Sequence, residues 1–225
     1  MRLIFVRHGH PDYGTDSLTE LGHPQAEAAA HRLRNEGITQ LYSSSCGRAV
    51  QTAEHTAALL GLPITKLDFM REIRWGKEGE PYNEKYHPWN AGQRLAQEGV
   101  DLLRCDYSEH PLWKGTYLEE CTHFVQTELD KWLAGLGYER EGLVYRCVRE
   151  NPDTVALFSH GGSSSAAMSH LLNVPMLYFC AIYTIDFTSV SIFDFGGKAG
   201  ERVVPTLRLF NDHRHIRENG ENRYC

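Results

Sequence analysis

Residues 2–9 read RLIFVRHG, and this stretch decides the fold. A short apolar, β-branched run that ends at a charged pair and a glycine is typical of a buried parallel strand leading into a loop. Arg7 and His8 would then lie at the carboxyl end of that strand. Ligands of parallel α/β sheets bind beyond the carboxyl ends of the strands, so this pair marks a candidate site.

The segment after this strand carries helix and strand patterns. Ser17 followed by Glu20 predicts a helix that begins at Ser17, and Gly37 predicts its end. Residues 38–42 are predicted to form the next strand.

A second helix is predicted over residues 47–60, with Arg48 in its first turn. A strand over residues 154–158 and a helix over residues 163–172 repeat the alternation. Alternating strands and helices favour a parallel sheet with helices on both faces. The sequence therefore predicts an α/β fold: a three-layer sandwich with a mostly parallel central sheet flanked by helices.

Three other segments depart from the alternation. Residues 75–122 are polar and aromatic and are predicted to form an insertion over the sheet, which either packs there or, with Lys77, Arg94 and Lys114, forms a lid over a ligand. Residues 179–195 and 202–210 are predicted as an antiparallel pair of strands at a sheet edge. Residues 212–215 read DHRH and are predicted to be a solvated tail. The aromatic residues of the insertion are Trp75, Tyr82, Tyr86, Trp89, Tyr107, Trp113 and Tyr117.

Length and composition limit the classes of protein. A chain of 225 residues can bury a full core, and we expect one domain over residues 1–225. A net charge of -6 favours neither nucleic acid nor an anionic membrane as a partner. The apolar run at residues 3–6 is too short for a signal peptide or a membrane span, so we expect a cytoplasmic location. Six cysteines without a Cys-x-x-Cys pair argue against a zinc site and a redox dithiol.

Four places in the sequence supply groups suited to binding or transferring a phosphoryl group: Arg7-His8-Gly9, Arg48, Glu72 and His160-Gly161-Gly162. Arginine forks and backbone amides at helix N-termini are good ligands for a phosphoryl dianion. A cation in the first turn of a helix is unfavourable unless an anion lies there, which favours a ligand-binding role for Arg48. Glycines after His160 leave room for the close approach of a ligand.

His8 and Glu72 are the candidates for the chemical steps. A neutral imidazole is a competent nucleophile, and flanking arginines lower the pKa of His8 because they disfavour its charged form. A carboxylic acid with a raised pKa can protonate a leaving alkoxide, and Glu72 is the candidate. Arg71 and Arg74 could instead pair with Glu72 at the surface, and Asp12 is an alternative donor.

At this point the sequence resembles a known family, the histidine phosphatase superfamily, in its phosphoglycerate-mutase-like branch. The segments that carry the resemblance are LIFVRHG at 3–9, LTELGHPQA at 18–26, SSCGRAVQTA at 44–53, REI at 71–73 and LFSHGG at 157–162. The resemblance implies that His8 is the phosphohistidine and Glu72 the proton donor. It also implies that Arg7, Arg48 and His160 bind the phosphoryl group, and Gly161 beside His160 is a further candidate contact.

The resemblance implies a phosphomonoester phosphatase that acts on a small phosphorylated substrate and needs no metal or organic cofactor. A phosphoglycerate-type mutase of the family would carry Glu-Ser after the first glycine, whereas this chain has His10-Pro11. The alternatives are such a phosphomutase and a catalytically weak phosphate-binding regulatory protein. An exposed edge strand near the C-terminus would offer a contact for a homodimer, and the sequence leaves the oligomeric state open.

Two other enzyme classes are disfavoured by missing motifs. A serine hydrolase of the glycine-rich oxyanion type needs Gly-x-Ser-x-Gly, which the sequence lacks. A P-loop enzyme needs a full Gly-x4-Gly-Lys-Ser/Thr loop, and Gly196-Gly197-Lys198-Ala199 is not one.

Overall fold

The computed structural model describes residues 1–81, 83–105 and 107–218, so Tyr82 and Cys225 lie outside the described residues. Eleven strands and seven α-helices are present in this part of the chain. In chain order they are β1 (Arg2–Arg7), β2 (Pro11–Asp12), β3 (Ser17–Leu18), α1 (Gly22–Leu33), β4 (Gln40–Ser44), α2 (Gly47–Leu60), β5 (Ile64–Leu67), α3 (Pro88–Gln97), α4 (Tyr117–Gly135), β6 (Tyr138–Glu141), β7 (Val144–Cys147), β8 (Thr154–Ser159), α5 (Gly161–Leu171), α6 (Met176–Ile182), β9 (Val190–Asp194), β10 (Arg202–Val203), β11 (Thr206–Asp212) and α7 (Arg214–Glu218).

The central sheet has six strands in the order β11-β9-β1-β8-β4-β5. β1, β8, β4 and β5 pair in parallel, whereas β9 and β11 are antiparallel to their neighbours and form one edge. In the register of β1 with β8, Arg7 lies opposite Ser159. His8 and His160 therefore follow adjacent parallel strands and emerge at the same edge of the sheet.

β1 is buried on both faces, which explains its continuous apolar sequence. Leu3 and Phe5 pack into the core on the side of α4 and α5, while Ile4 and Val6 pack into the core on the side of α1 and α2. Alternate side chains of a strand point to opposite faces, so a strand between two helical layers needs apolar residues at every position. The predicted α/β fold, with a central sheet between two helical layers, is confirmed.

The prediction for the first helix is wrong at its start. Ser17 and Leu18 form β3, which pairs with Pro11 and Asp12 in a short hairpin, and α1 begins only at Gly22. Ser17 hydrogen-bonds the hydroxyl of Thr15 rather than capping a helix. The helix begins later than predicted because Ser17 and Leu18 pair with Pro11 and Asp12, and the local sequence pattern does not indicate this pairing.

The predictions for the other elements of the parallel sheet are close. The strand expected at 38–42 lies at Gln40–Ser44, and the helix expected at 47–60 is confirmed as α2. The strand at 154–158 extends to Ser159, and α5 begins two residues earlier than expected, at Gly161. The displaced boundary matters, because it puts Gly161 in the first turn of a helix.

The C-terminal predictions need two corrections. The segment predicted as a strand over residues 179–195 contains helix α6, and only Val190–Asp194 is a strand. An apolar run without a clear period does not distinguish a buried helix from a strand. The predicted antiparallel edge pair exists between β9 and β11, while β10 leaves the central sheet to pair with β7.

The second correction concerns residues 212–215, which are not a solvated tail. Asp212 is buried at the end of β11 and accepts hydrogen bonds from Arg32 and Arg214. His215 hydrogen-bonds the hydroxyl of Thr188, whose backbone amide donates to the His8 carbonyl. Charged and imidazole groups in this segment therefore have partners within the fold, which composition alone does not reveal.

Within the insertion predicted at 75–122, the described residues form a 3-10 turn at Glu84–Tyr86, helix α3 and the first part of α4. α3 packs against α6. In the part of the chain that is described, no single helix is long and apolar enough to cross a membrane, and α5 and α6 reach that limit only as a pair bent by 116°.

Candidate active site

His8 follows β1 and is completely buried. Its Nδ1 lies 2.7 Å from the carbonyl oxygen of Gly9, and its Nε2 lies 3.3 Å from Nε of Arg48. A carbonyl oxygen can only accept, so Nδ1 carries the proton of the neutral ring and Nε2 presents its lone pair to the guanidinium. Burial, reinforced by Arg7, lowers the pKa of His8 well below 6.5 and keeps the ring neutral.

His160 follows β8 and faces His8, with 5.1 Å between the ring centroids. Its Nε2 lies 2.8 Å from the hydroxyl of Ser44, whereas its Nδ1 is buried without a hydrogen-bond partner among the described residues. Burial, followed by the proximity of His8, lowers the pKa of His160 well below 6.5. A buried polar atom without a partner costs free energy, which makes Nδ1 a candidate contact for a ligand.

Arg48 lies in the first turn of α2 and is only 7% exposed. Its guanidinium forms an ion pair with Asp16, whose other carboxylate oxygen accepts from the amide of Gly47 at 2.8 Å. Asp16 adopts a φ of 52°, a left-handed conformation that is uncommon for a residue other than glycine. The Asp16 carbonyl also lies so close to Gly47 that an added Cβ would approach it to 2.2 Å.

Asp16 therefore occupies the N-terminus of α2 and holds the side chain of Arg48 from the side remote from His8. The sequence analysis missed Asp16, because nothing in the sequence links it to an arginine 32 positions away. The observed contact explains how a cation is tolerated in the first turn of a helix.

Arg7 ends β1 and is held at several points. Its Nη1 donates to the carbonyl of Ile185 at 2.6 Å, and its guanidinium carbon lies 4.0 Å from the ring centroid of Phe187. The buried Nε has no partner among the described residues. Arg7 is thus fixed in position while part of its donor capacity stays available.

Glu72 reaches the N-terminus of α5. Its Oε1 accepts from the backbone amides of Ile73 at 3.0 Å and Ser163 at 3.1 Å. A Cβ on Gly162 would lie 2.7 Å from this oxygen, so glycine is required for the close approach. Burial raises the pKa of Glu72, and the charge of Arg7 opposes that rise. A carboxyl group with a raised pKa is suited to giving up a proton during a reaction.

A cavity of about 250 Å³ opens beside these groups. Arg7, Glu72 and Gly161 line it, and a Cβ on Gly161 would lie 3.7 Å from the guanidinium carbon of Arg7. The rest of the wall consists of Tyr13, Trp75, His87, Trp89, Thr184, Ile185 and Asp186.

Comparison with known proteins decides the family. A model of the histidine phosphatase superfamily (branch 1) matches residues 3–207. The chain belongs to the histidine phosphatase superfamily. The resemblance stated from the sequence is therefore confirmed.

Curated relatives of this superfamily member include the probable phosphoglycerate mutase GpmB of Yersinia pestis (strain Pestoides F) and of Yersinia pseudotuberculosis (serotype O:1b, strain IP 31758). Each is 38% identical over 85 residues. The match covers 34% of this chain and 40% of each relative, so the chain spans less than half the length of these relatives.

Similar solved structures include two phosphatases and one hydrolase. The phosphoserine phosphatase of Entamoeba histolytica has a TM-score of 0.65 at 20% identity and covers 96% of this chain and 98% of that one. A mycobacterial glucosyl-3-phosphoglycerate phosphatase has a TM-score of 0.64 at 24% identity, covering 93% and 98%. The protein titled mycobacterial hydrolase 2 has a TM-score of 0.67 at 25% identity, covering 93% and 90%. The first two likenesses bear on the fold alone.

The fold brings the predicted site residues together, whereas the alternative proton donor Asp12 lies apart from them. The side chains of Arg7, His8, Arg48 and His160 meet at the carboxyl ends of β1 and β8 and the start of α2, and Glu72 lies beside Gly161 and Gly162. The alternative donor Asp12 is exposed and caps the amide of Gly14 instead.

The three cations proposed for a lid, Lys77, Arg94 and Lys114, do not line the cavity. Arg94 pairs with Glu98, and Lys114 pairs with Glu109. Of the predicted insertion, Trp75 and Trp89 do reach the cavity wall. Within the described residues, no cluster of three or more His, Cys, Asp or Glu side chains is arranged to hold a metal ion.

Proposed function

We propose that this superfamily member is a phosphomonoester phosphatase that forms a phosphohistidine on His8. The observation that carries the proposal is the state of the His8 ring: Nδ1 is committed to the Gly9 carbonyl, and Nε2 offers its lone pair inside a pocket of arginines. A nucleophile that is neutral, oriented and adjacent to cations is suited to attack a phosphoryl dianion.

In the first step Nε2 of His8 forms a bond to phosphorus as the bond from phosphorus to the ester oxygen breaks. Arg7, Arg48 and His160 bind the phosphoryl oxygens, with the α5 amide of Gly161 as a further donor, and they stabilise the charge of the transition state. Glu72 gives its proton to the departing alkoxide and becomes a carboxylate. The alcohol leaves, and the phosphoryl group remains on His8.

In the second step water attacks phosphorus and the bond from phosphorus to Nε2 breaks. The carboxylate of Glu72 takes the proton that the water loses, which restores the acid for the next cycle. Inorganic phosphate leaves, and His8 returns to its starting tautomer because Nδ1 keeps its proton throughout. The cycle uses no metal, and we propose that the enzyme is metal-independent.

The test is release of inorganic phosphate from a panel of phosphomonoesters, with wild type and His8→Ala compared in the presence of a chelator. We expect release by wild type, none by His8→Ala, and an acid-labile phosphoenzyme after rapid quenching. Phosphate release that survives in His8→Ala would refute the role of His8. Tight binding of inorganic phosphate without turnover would instead support a catalytically weak phosphate-binding regulatory protein.

A phosphoglycerate-type phosphomutase is the second candidate, because the curated relatives are probable phosphoglycerate mutases. A mutase transfers the phosphoryl group of His8 to a second hydroxyl, whereas a phosphatase transfers it to water. Incubation of 3-phosphoglycerate with the enzyme separates the two: isomerisation without phosphate release supports the mutase.

We further propose a cytoplasmic enzyme with a small phosphorylated substrate, no nucleic-acid or membrane partner, and residues 1–225 as a single domain with the insertion as its lid. The homodimer also remains a proposal. β11 is the edge strand such a dimer would use, but its register with β9 shifts between Leu207 and Leu209 and again before Asp212. Such irregularities make an edge strand less able to pair with a second copy, so contacts outside the strand would have to contribute to the dimer interface.

A further inference from the structure

Most residues of the cavity wall are not used by the phosphoryl chemistry. We call Arg7, Glu72 and Gly161 the phosphoryl end of the wall and its other seven lining residues the leaving-group end, and we assign the latter to the group that is esterified to the phosphate. The volume of about 250 Å³ lies just below the roughly 300–1,000 Å³ of pockets for drug-sized ligands, which favours a small alcohol. The chemistry of this wall therefore limits the leaving group.

Three aromatic rings form a continuous part of the wall. The ring centroids of Trp75 and His87 are 4.7 Å apart at an interplanar angle of 69°, and those of His87 and Trp89 are 4.8 Å apart at 36°. Burial lowers the pKa of His87, so its ring is neutral at neutral pH. Aromatic faces carry partial negative charge and attract cations, tryptophan most strongly.

Asp186 is the one acidic side chain among the lining residues outside the phosphoryl end. Asp186 lines the cavity, and its Oδ2 accepts from the amide of Asn211 at 2.7 Å and lies 3.4 Å from Nδ1 of His213. Its own backbone amide donates to Asn211 at 2.8 Å, so the carboxylate is held in place. Among the described lining residues Arg7 is the one basic side chain other than histidine, and it belongs to the phosphoryl end.

We propose that this wall binds an ammonium group, so that the substrate is the phosphomonoester of a small amino alcohol. The inference rests on the proposed phosphatase function and adds the class of its leaving group. Trp75 and Trp89 would attract the ammonium by cation–π contact, and Asp186 would attract it by its charge. A leaving group with a carboxylate, such as that of phosphoglycerate, would be repelled by Asp186, and the arginine of the wall, Arg7, is assigned to the phosphoryl group.

The experiment compares phosphocholine with its uncharged carbon analogue, 3,3-dimethylbutyl phosphate, which has nearly the same shape. We expect a kcat/KM about tenfold higher for phosphocholine, in the range of partly desolvated cation–π contacts. Because the two alcohols differ in acidity, the decisive quantity is the change of this ratio in variants. Asp186→Asn and Trp89→Leu should each reduce the ratio several-fold, whereas Glu109→Gln, an exposed carboxylate elsewhere, should leave it unchanged.

The outcomes separate this inference from the proposed function. If wild type hydrolyses both esters and the ratio is the same in Asp186→Asn, the amino-alcohol inference is wrong and the phosphatase remains. A preference for phenyl phosphate would overturn it in favour of aromatic stacking, and a preference for 3-phosphoglycerate would overturn it in favour of an acidic substrate. If none of the four esters is hydrolysed, the proposed function itself fails.

Discussion

Replacing Gly162 with alanine tests whether the close packing around Glu72, whose Oε1 accepts from the amides of Ile73 and Ser163, is needed for activity. A Cβ at this position would lie 2.5 Å from Cγ1 of Ile73 and 2.7 Å from Oε1 of Glu72. Carbon contacts are optimal at about 3.5–4.0 Å, so Ile73 must retreat by roughly 1 Å and Glu72 by somewhat less. A displacement of about 1 Å can cost about a hundredfold in rate, and overpacking of this kind costs about 1–3 kcal/mol of stability.

The assay measures kcat/KM, which reports the step in which the alcohol leaves, on an alkyl phosphate and on p-nitrophenyl phosphate, together with thermal unfolding. We expect kcat/KM of Gly162→Ala to fall about a hundredfold on the alkyl ester and much less on the p-nitrophenyl ester, whose leaving group needs no proton. Tm should fall by about 2–4 °C for each kcal/mol lost. Gly135→Ala is the control, because its Cβ would meet nothing within 4 Å. Equal losses on both esters would refute Glu72 as the proton donor. Unchanged kinetics would show that the position of Glu72 beside Gly162 is not needed for the reaction.

Three further predictions follow from the site. kcat/KM should fall as the pH drops through the lowered pKa of His8, because the ring must be neutral to attack. It should also fall as the pH rises through the raised pKa of Glu72, because the carboxyl must be protonated. A pH profile of Glu72→Gln should therefore lack the alkaline limb; a limb that persists would assign it to another group. Asp16→Asn should lower kcat about tenfold, since Arg48 loses its charged partner, and steady-state kinetics should show no such loss in the exposed control Asp12→Asn. Dialysis against a chelator should leave phosphate release unchanged, and restoration of lost activity by an added divalent ion would contradict metal independence.

The parallel part of the sheet could be predicted because its sequence signals are local. β1 is apolar at every position from Leu3 to Val6, which follows from burial on both faces. α2 begins at Gly47, and Gly61, which follows its last residue, has the left-handed conformation that ends a helix. His8 and His160 directly follow β1 and β8, and Arg48 lies in the first turn of α2, so their positions could be predicted together with these elements.

Elements held by distant contacts could not be foreseen in the same way. β3 exists because Leu18 and Ser17 pair with the segment after His8, and the amide of Leu18 also donates to Gln51 on α2 at 2.7 Å. The capping pattern at Ser17 is weaker than these tertiary contacts, so the helix starts later. Asp16, immediately before β3, is carried to the N-terminus of α2 by the same hairpin, and its contact with Arg48 is a product of tertiary structure.

The two ends of the cavity differ in this respect, and the difference has a physical cause. The phosphoryl end is made by residues at the ends of neighbouring parallel strands, which any sheet of this order brings together. The leaving-group end draws Trp75 and Trp89 from the insertion and Asp186 from the segment before β9, and their meeting depends on the packing of α3 against α6. An insertion packed in this way can change its side chains without disturbing the strands below it. Substitutions of Trp75, Trp89 and Asp186 should therefore change which phosphomonoester is preferred, with the proposed transfer of the phosphoryl group to His8 retained.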